Sequence, residues 1–234
     1  MLGKTVLVTG CSSGGLGAAM AKAYQARGFR VFATLRNRSK AGSLEKIEGI
    51  EILELEVTSE ESVRQCAKEV KKLTGGSLDV LVNNAAVGTF MPLLDTSIDE
   101  AKKLYDSNVW SILSMTQAFA PMLIKSKGTV CNISSVSGEL VFAWQGRSSK
   151  AATTRISETL RLEMAPLGVR VVTVILGGVE TTGNNPDNRK ELVLPENSYY
   201  QKIAAIINRH QKGLVHTNKQ NVDVAARNVV DDVL

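Results

Sequence analysis

Short apolar runs alternate with segments of helical periodicity along most of this chain, and this alternation constrains its fold more than any other feature. The runs are rich in Val, Ile and Leu and about six residues long, which is typical of strands buried on both faces of a parallel sheet. Helices must then link successive strands and cover both faces. The pattern predicts a doubly wound α/β protein in three layers.

Six runs are predicted to be strands, at residues 4–9, 30–35, 52–57, 78–82, 129–133 and 169–175. Right-handed crossovers between them give the strand order 3-2-1-4-5-6 in a Rossmann-type sheet. We expect one domain over residues 1–234, with no seventh strand in its sheet. Two spacings, Thr58 to Glu61 and Ser97 to Glu100, predict helix starts by the capping box.

A glycine-rich segment at residues 9–17 (TGCSSGGLG) joins the first strand to the first helix. Glycine permits a tight turn and close backbone approach to a pyrophosphate, and the helix start offers free N–H groups. A lone glycine pattern is weak evidence. Its place between a strand and a helix, with a second strand ending about twenty residues on, favours a dinucleotide site over an ordinary turn. Ligands of such sheets bind at this carboxyl edge.

The end of the second strand indicates which dinucleotide binds. Sheets that bind NAD usually carry an acidic residue there for the ribose 2′-hydroxyl, whereas this chain has Leu35 and Arg36. A guanidinium makes bidentate contacts to a 2′-phosphate, and Ser12 and Arg38 would add donors. These residues therefore favour NADP(H) over NAD(H). The alternative is that Arg36 is a solvated loop residue without a role in cofactor binding.

Composition and charge exclude several other classes of protein. The net charge of +5 comes from scattered residues, so we expect no nucleic-acid partner. No apolar run approaches the roughly 20 residues of a membrane span, so no integral membrane segment is expected. The start lacks a signal-peptide layout, and three cysteines without metal-ligand spacing predict free thiols, no metal site and a cytoplasmic location. Cys11, beside the glycines, is either an activated thiol at a helix start or a buried, inert one.

Several motifs together resemble the short-chain dehydrogenase/reductase family over residues 4–234. They are TGCSSGGLG at 9–17, NNAA at 83–86, Asn108 in SNVWS, NISS at 132–135, SKAA at 149–152 and LGGVETT at 176–182. The doubled glycine, WQG at 144–146 and VVDDVL at 229–234 are most similar to fungal acyl-dihydroxyacetone-phosphate reductases. TLRN at 34–37 is similar to NADP-using 17β-hydroxysteroid dehydrogenases.

The resemblance implies a role for each matching residue. Cofactor contacts would come from Gly10, Ser12, Ser13, Gly15, Leu16, Gly17, Arg36, Glu56, Val57, Asn83, Ala85, Lys150, Gly177, Val179 and Thr181. Among these, glycines would line the pyrophosphate, Glu56 would lie by the adenine, and Val179 and Thr181 would meet the nicotinamide carboxamide. Leu176 stands where the family usually has Pro.

The family transfers hydride between nicotinamide and a carbonyl carbon, using Tyr, Ser, Lys and Asn. Ser135 would hold the substrate oxygen, Lys150 would lower the Tyr pKa and bind the ribose, and Asn108 would order a water leading to the Lys. The Tyr is absent, because Gly146 stands four residues before Lys150. Two residues inserted between Arg147 and Ser148, one of them Tyr, would restore the family's spacing.

Three interpretations of the missing Tyr follow. In the first, the protein carries the Tyr that this sequence lacks, and it is an ordinary NADPH-dependent carbonyl reductase. In the second, the site reduces an activated iminium, or catalyses a non-redox isomerisation or cyclisation with NADP(H) shaping the cavity. In the third, the chain is a catalytically silent NADP-binding protein.

The chain beyond the sixth strand corresponds to the family's substrate lid, at residues 182–215. Its apolar residues predict a hydrophobic small-molecule substrate; a lipid-like ketone and a fungal secondary metabolite are both compatible. The same apolar residues are also consistent with an oligomer contact. The long helical stretches at 99–125 and 149–165 usually form a dimer interface in this family, so the resemblance implies a homodimer or homotetramer.

Overall fold

The computed structural model describes residues 3–140, 146–214 and 218–234 of the chain. Within them the main sheet has six parallel strands in the order β3-β2-β1-β4-β5-β6, which confirms the predicted topology. The strands are β1 (Thr5–Thr9), β2 (Arg30–Leu35), β3 (Ile50–Glu54), β4 (Val80–Asn83), β5 (Thr129–Ser135) and β6 (Arg170–Leu176). The order reverses between β1 and β4, so the loops after them diverge and leave a crevice at the carboxyl edge.

Helices cover both faces of this sheet. They are α1 (Leu16–Gln25), α2 (Glu60–Thr74), α3 (Ile98–Tyr105), α4 (Ser111–Ser126), α5 (Val136–Glu139), α6 (Gly146–Met164), α7 (Ala204–Gln211) and α8 (Val222–Val233). One apolar cluster joins α1 and α8 to Val6 and Val8, and a second joins α2, α4 and α6 to Leu7. Because side chains alternate along a strand, each buried strand contributes to both clusters, which explains its unbroken apolar run.

Strand β3 lies two residues earlier than the predicted range of 52–57. Leu55 still donates its N–H to the carbonyl of Leu35 at 3.0 Å, but the next N–H, of Glu56, is taken by the hydroxyl of Ser62 at 3.0 Å. That side-chain bond from the start of α2 ends the ladder. The predicted strand positions of Glu56 and Val57 are therefore wrong, and both residues lie in the loop.

One of the two predicted capping boxes is also wrong. The N-cap of α2 is Ser59, whose Oγ accepts the Ser62 N–H at 3.3 Å, whereas Thr58 donates to the carboxylate of Glu56 at 2.9 Å. At α3 the predicted cap is confirmed, because Ser97 Oγ accepts the Glu100 N–H at 3.1 Å. Thr58 and Ser59 can both cap this helix, so spacing alone did not distinguish them. The carboxylate of Glu56 takes the hydroxyl of Thr58, which leaves Ser59 as the cap.

Beyond β6 the chain forms short turns, α7, and a parallel pair made of β7 (Val179–Glu180) and β8 (Gln220–Asn221). Thr182 fastens this region to the loop after β1. Its N–H donates to the carbonyl of Gly14 at 3.0 Å and its Oγ1 to that of Ser13 at 3.1 Å. Gly14 has φ +73°, and a Cβ there would collide with the Thr182 methyl group, so only glycine fits. In the described ranges, no helix is long and apolar enough to cross a membrane.

Candidate functional site

An open crevice of about 930 Å³ runs along the carboxyl edge of the sheet, between the loops that follow its strands. Most of the site residues predicted from the sequence line it. They are Gly10, Ser12, Gly15, Leu16, Arg36, Glu56, Val57, Ala85, Asn108, Ser135, Lys150, Val179 and Thr181. Its volume lies in the range of small-molecule and cofactor pockets, roughly 300–1,000 Å³.

The loop after β1 has the backbone shape that an anion site needs. Gly10 adopts φ +74°, a left-handed conformation that other residues rarely reach. Gly15 is the N-cap of α1, and this end carries neither a side-chain cap nor an acidic residue in its first turn. The first N–H groups of α1 are thus left uncapped by side chains at the crevice, where they favour a negatively charged ligand.

Four predicted cofactor residues do not line the crevice, and three of them lie beside it. A Cβ on Gly17 would lie 2.5 Å from the carbonyl oxygen of Gly10, so this glycine lets α1 pack against the loop. Ser13 binds the carbonyl of Lys40 through its N–H at 2.8 Å. Gly177 follows β6, with nothing within 4 Å of where its Cβ would be.

The fourth, Asn83, lies beneath the crevice. It is buried at the end of β4 and donates through Nδ2 to Oδ1 of Asn132 in β5 at 2.8 Å. Its neighbour Asn84 lines the crevice and donates to the carbonyl of Thr9 at 2.7 Å. Sequence reasoning missed Asn84, although alternation along β4 places neighbouring residues on opposite sides.

Two cations line the crevice beyond β2. Arg36 has a side chain that is 70% exposed, and its Nη1 lies 3.6 Å from Oε2 of Glu56. The second, Lys40, was missed in the sequence. Arg38, considered there as a further donor, instead pairs with Glu45 at 3.0 Å and does not line the crevice.

A single helical turn, Arg38–Lys40, explains why Lys40 rather than Arg38 lines the crevice. Asn37 caps it, because its Oδ1 accepts the N–H of Ser39 at 3.0 Å. The turn brings the chain at Lys40 back to the crevice, whereas Arg38 contacts the carbonyl of Ile52. A bond from an Asn side chain to the N–H two residues on forms an Asx turn, and an Asn shortly after a predicted strand was a signal for it in the sequence.

Lys150 extends from α6 to the floor of the crevice. Its Nζ donates to the carbonyl of Ile133 in β5 at 2.7 Å. Burial lowers the pKa of this amine to about 8 from its usual 10.5, because the charged form loses hydration. The side chain is therefore mostly an ammonium at neutral pH, but it releases its proton more readily than an exposed lysine.

Ser135 ends β5 with its hydroxyl on the crevice. Its Oγ accepts from Ser137 twice, from the N–H at 3.2 Å and from the hydroxyl at 3.0 Å. Since both bonds use Ser135 as acceptor, its own proton remains available as a donor.

Asn108 holds the loop after β4 in place. Its side chain accepts the N–H of Val87 and donates to the carbonyl of Val87, each at 2.8 Å, and also donates to Ser149 Oγ at 3.0 Å. Asn108 lies in a π-helical turn, Asp106–Trp110, between α3 and α4. Its carbonyl accepts the hydroxyl of Thr153 at 2.9 Å, an external partner that such a widened turn permits. The structure thus gives Asn108 a positioning contact that the sequence did not indicate.

No tyrosine lines the crevice in the described part of the chain. The four tyrosines are Tyr24, buried in the core, Tyr105 at the end of α3, and Tyr199 and Tyr200 beyond β6. Gly146, at the position four before Lys150, begins α6. Trp144 and Gln145, which precede it in the WQG motif, lie outside the described residues.

Cys11 is the inert alternative of the two considered. It is fully buried, its thiol donates to the carbonyl of Val8, and burial raises its pKa to about 12. Such a thiol is not a nucleophile at neutral pH. The structure, over the residues it describes, has no cluster of His, Cys, Asp and Glu that would hold a metal.

Comparisons with known proteins agree with this geometry. The family model described as short chain dehydrogenase matches residues 4–192. The chain is 71% identical over 233 residues to the short-chain dehydrogenase cctT of Talaromyces islandicus, covering 99% of this chain and 82% of the relative. It is 40% identical over 208 residues to the NADPH-dependent 1-acyldihydroxyacetone phosphate reductase of Schizosaccharomyces pombe, covering 87% of this chain and 70% of the relative.

A solved structure shows the same architecture. The crystal structure of a short-chain dehydrogenase from Streptomyces avermitilis superposes with a TM-score of 0.82 at 29% identity, covering 97% of this chain and 82% of that one. The chain therefore belongs to the short-chain dehydrogenase family. The fold and the family inferred from the motifs are both confirmed.

Proposed function

We propose that this protein is an NADPH-dependent oxidoreductase that reduces a carbonyl or an imine of a hydrophobic small molecule. The single observation that carries the proposal is the composition of the crevice. It combines a glycine loop at a helix start, two cations beyond β2, and the pair formed by Ser135 and Lys150. The NADPH-dependent relative from S. pombe supports the choice of cofactor.

The residues present fit this cofactor, because the backbone at Gly10 and the uncapped start of α1 leave space and N–H groups for a pyrophosphate. The pyrophosphate would be held by Gly10, Ser12, Gly15 and Leu16, with Ser13 and Gly17 shaping the loop. Glu56 and Val57 would border the adenine. Ala85 would border the ribose, with Asn83 beneath it. The nicotinamide carboxamide would be bordered by Gly177, Val179 and Thr181. Arg36 and Lys40 would bind the 2′-phosphate.

Bound NADPH would supply a hydride to the carbonyl or iminium carbon. Ser135 would hold the substrate oxygen with its free proton, and the Lys150 ammonium would stabilise negative charge that develops there. An ammonium with a pKa of about 8 releases a proton more readily than a serine hydroxyl does. Asn108 would keep the loop at Val87 fixed beside the reacting group. An iminium substrate needs no proton, so this site suits it better than a ketone.

A second candidate is favoured by the absence of a tyrosine among the described residues that line the crevice. In it, the protein binds NADP(H) and catalyses a non-redox isomerisation or cyclisation, or binds it without catalysis. The two candidates differ in whether NADPH is consumed. The protein is mixed with NADPH and either a cyclic iminium or the matching cyclic ketone, and loss of NADPH absorbance is followed. We expect the iminium to be reduced at least about tenfold faster, and NADPH binding without consumption of either substrate would support the second candidate instead.

The choice of NADPH is tested by binding. We expect the dissociation constant for NADPH, measured by its fluorescence, to be well below that for NADH. Arg36→Ala or Lys40→Ala should each raise the NADPH constant about tenfold, since an exposed charge-assisted contact is worth roughly 1.4 kcal/mol. Arg38→Ala is the matched control, because this guanidinium pairs with Glu45 away from the crevice. Equal affinity for both cofactors in the unmodified protein would contradict the assignment.

We also propose a homodimer or homotetramer in the cytoplasm, with the substrate lid at residues 182–215. Trp110 and Leu162, on the helical stretches expected at the subunit interface, are 52% and 65% exposed. Cys11, Cys66 and Cys131 are buried free thiols, which suits a reducing compartment. Light scattering that gives a monomer mass would contradict the oligomer.

A further inference from the structure

A second cavity, of about 380 Å³, adjoins the crevice on the side of α3. The two cavities share Val87, Gly88, Thr89 and Ser107. We call the second one the side pocket. Its remaining wall is formed chiefly by Met91, Leu104 and Leu192. The side pocket is therefore a mainly apolar space that continues from the part of the crevice near Asn108.

At Gly88 no side chain separates the two cavities. It is the one shared residue without a side chain, and nothing lies within 4 Å of where its Cβ would be. Its φ is not in the left-handed region, so glycine is not required there by the backbone. Neither packing nor turn geometry explains a glycine at this position, whereas an opening between the cavities does.

Two asparagines fix the walls of the side pocket. Asn108 binds both backbone groups of Val87, as described above, and Asn208 binds those of Leu192 in the same way. The Leu192 N–H donates to Asn208 Oδ1 at 2.7 Å, and Asn208 Nδ2 donates to the Leu192 carbonyl at 3.0 Å. Paired bonds of this kind hold a loop at a set distance from its helix, so the pocket is built rather than incidental.

The mouth of the side pocket carries balanced charge. Glu100 and Lys103 are exposed on α3, three residues apart, and both line it. Residues at this spacing are neighbours on a helix surface, so their opposite charges compensate each other. The mouth thus offers hydrogen bonds to a polar end group without selecting a net charge.

We propose that the side pocket binds the distal part of the substrate, which is an uncharged, apolar segment of an elongated carbonyl or imine compound. The reacting group lies at Ser135, and the apolar segment passes over Gly88 to contact Met91, Leu104 and Leu192. This inference rests on the proposed function and adds the shape and charge of its substrate. Each methylene buried in the side pocket should raise kcat/KM about fourfold, so chain length should strongly affect kcat/KM.

Two substitutions block the side pocket at different points. Gly88→Val narrows the opening at a position where an added Cβ meets nothing within 4 Å, and Leu192→Trp fills the interior. Leu94→Trp is the matched control, because Leu94 is 74% exposed, lies outside the substrate lid and lines neither cavity. Thermal unfolding checks that each variant folds.

The experiment compares butan-2-one with decan-2-one, with NADPH in excess, and uses the ratio of their kcat/KM values. We expect the unmodified protein to prefer the longer ketone at least about thirtyfold, which two or three buried methylenes account for. Gly88→Val and Leu192→Trp should each lower this ratio about tenfold, and Leu94→Trp should leave it unchanged. Calorimetric binding of decan-2-one provides a readout that needs no turnover.

The outcomes separate this inference from the proposed function. Reduction of both ketones with no preference for length, or with the preference intact in both blocked variants, would overturn the side pocket and leave the reductase standing. Binding of decan-2-one that both blocked variants weaken, without reduction, would support the side pocket, and the cyclic iminium assay then decides whether the protein is a reductase. Absence of both binding and reduction of decan-2-one would overturn the side pocket, and reduction of the cyclic iminium in that case would leave the proposed function standing.

Discussion

The two ends of the crevice differ in how completely the chain equips them. At the nucleotide end, a left-handed glycine, an uncapped helix start and two cations come together. At the reaction end, Ser135 and Lys150 border the crevice, but no tyrosine does among the described residues. The shape of the nucleotide end depends on many backbone positions at once, whereas proton donation depends on one side chain. A change of two residues can therefore remove the acid and leave the binding surface intact.

The largest expected effect comes from supplying the missing phenol. Insertion of Tyr-Ala between Arg147 and Ser148 places Tyr four residues before Lys150, on the same face of α6. We expect ketone reduction to accelerate by about a hundredfold or more, because a positioned general acid contributes roughly 10²–10⁴. The rate of NADPH consumption measures it.

The matched control for this insertion is Phe-Ala at the same place, which has the same length and lacks the hydroxyl. Equal rates for the Tyr-Ala and Phe-Ala proteins would show that the reaction end lacks something other than an acid. The difference between the two ends would then not be the loss of one proton donor.

A smaller effect is expected from damage to the nucleotide end. Gly17→Ala places a methyl group 2.5 Å from the carbonyl oxygen of Gly10, so the loop must shift. We expect NADPH binding to weaken by about 2 kcal/mol, or roughly thirtyfold in Kd. Gly88→Ala, where the added methyl group meets nothing, should leave Kd unchanged. If Gly17→Ala bound NADPH normally, the loop would be more adaptable than its packing indicates.

An effect of comparable size is expected on the stability of the cofactor-free protein at high pH. Lys150 has a pKa of about 8 when folded and 10.5 when exposed, so between these values the unfolded chain binds more protons. Stability should therefore rise with pH across this window, by at most about 1.4 kcal/mol per pH unit from this group. Lys150→Met removes that gain, and urea unfolding at pH 8 and pH 10 measures it. If the stability of the Lys150→Met protein rose with pH as much as that of the unmodified protein, the rise would come from a group other than Lys150.

The sequence was sufficient for the sheet and most of the crevice. Strand order follows from buried apolar runs and the handedness of crossovers, and the glycines of the β1 loop predicted a loop that does border the crevice. The errors lie where a side chain competes with the backbone. Ser62 ended β3 by taking the N–H of Glu56, and Ser59 rather than Thr58 capped α2.

The side chains at the crevice were harder to predict than the strands. Lys40 lines the crevice and Arg38 does not, because the helical turn at 38–40 brings Lys40 to it. Likewise, Asn84 rather than Asn83 lines the crevice. The side pocket had no signal in one sequence, since its walls come from α3, the β4 loop and Leu192, which are far apart in the chain. Such contacts depend on tertiary packing, which local patterns do not encode.

The two hydrogen bonds from Thr182 to the β1 loop have a consequence for how the chain beyond β7 can move. The segment that starts at Thr182 cannot swing outward without breaking bonds to Gly14 and Ser13, the neighbours of the residues proposed to hold the pyrophosphate. Outward movement of this segment and the shape of the β1 loop are thereby mechanically linked, although Thr182 and Ser13 are 169 residues apart in the chain.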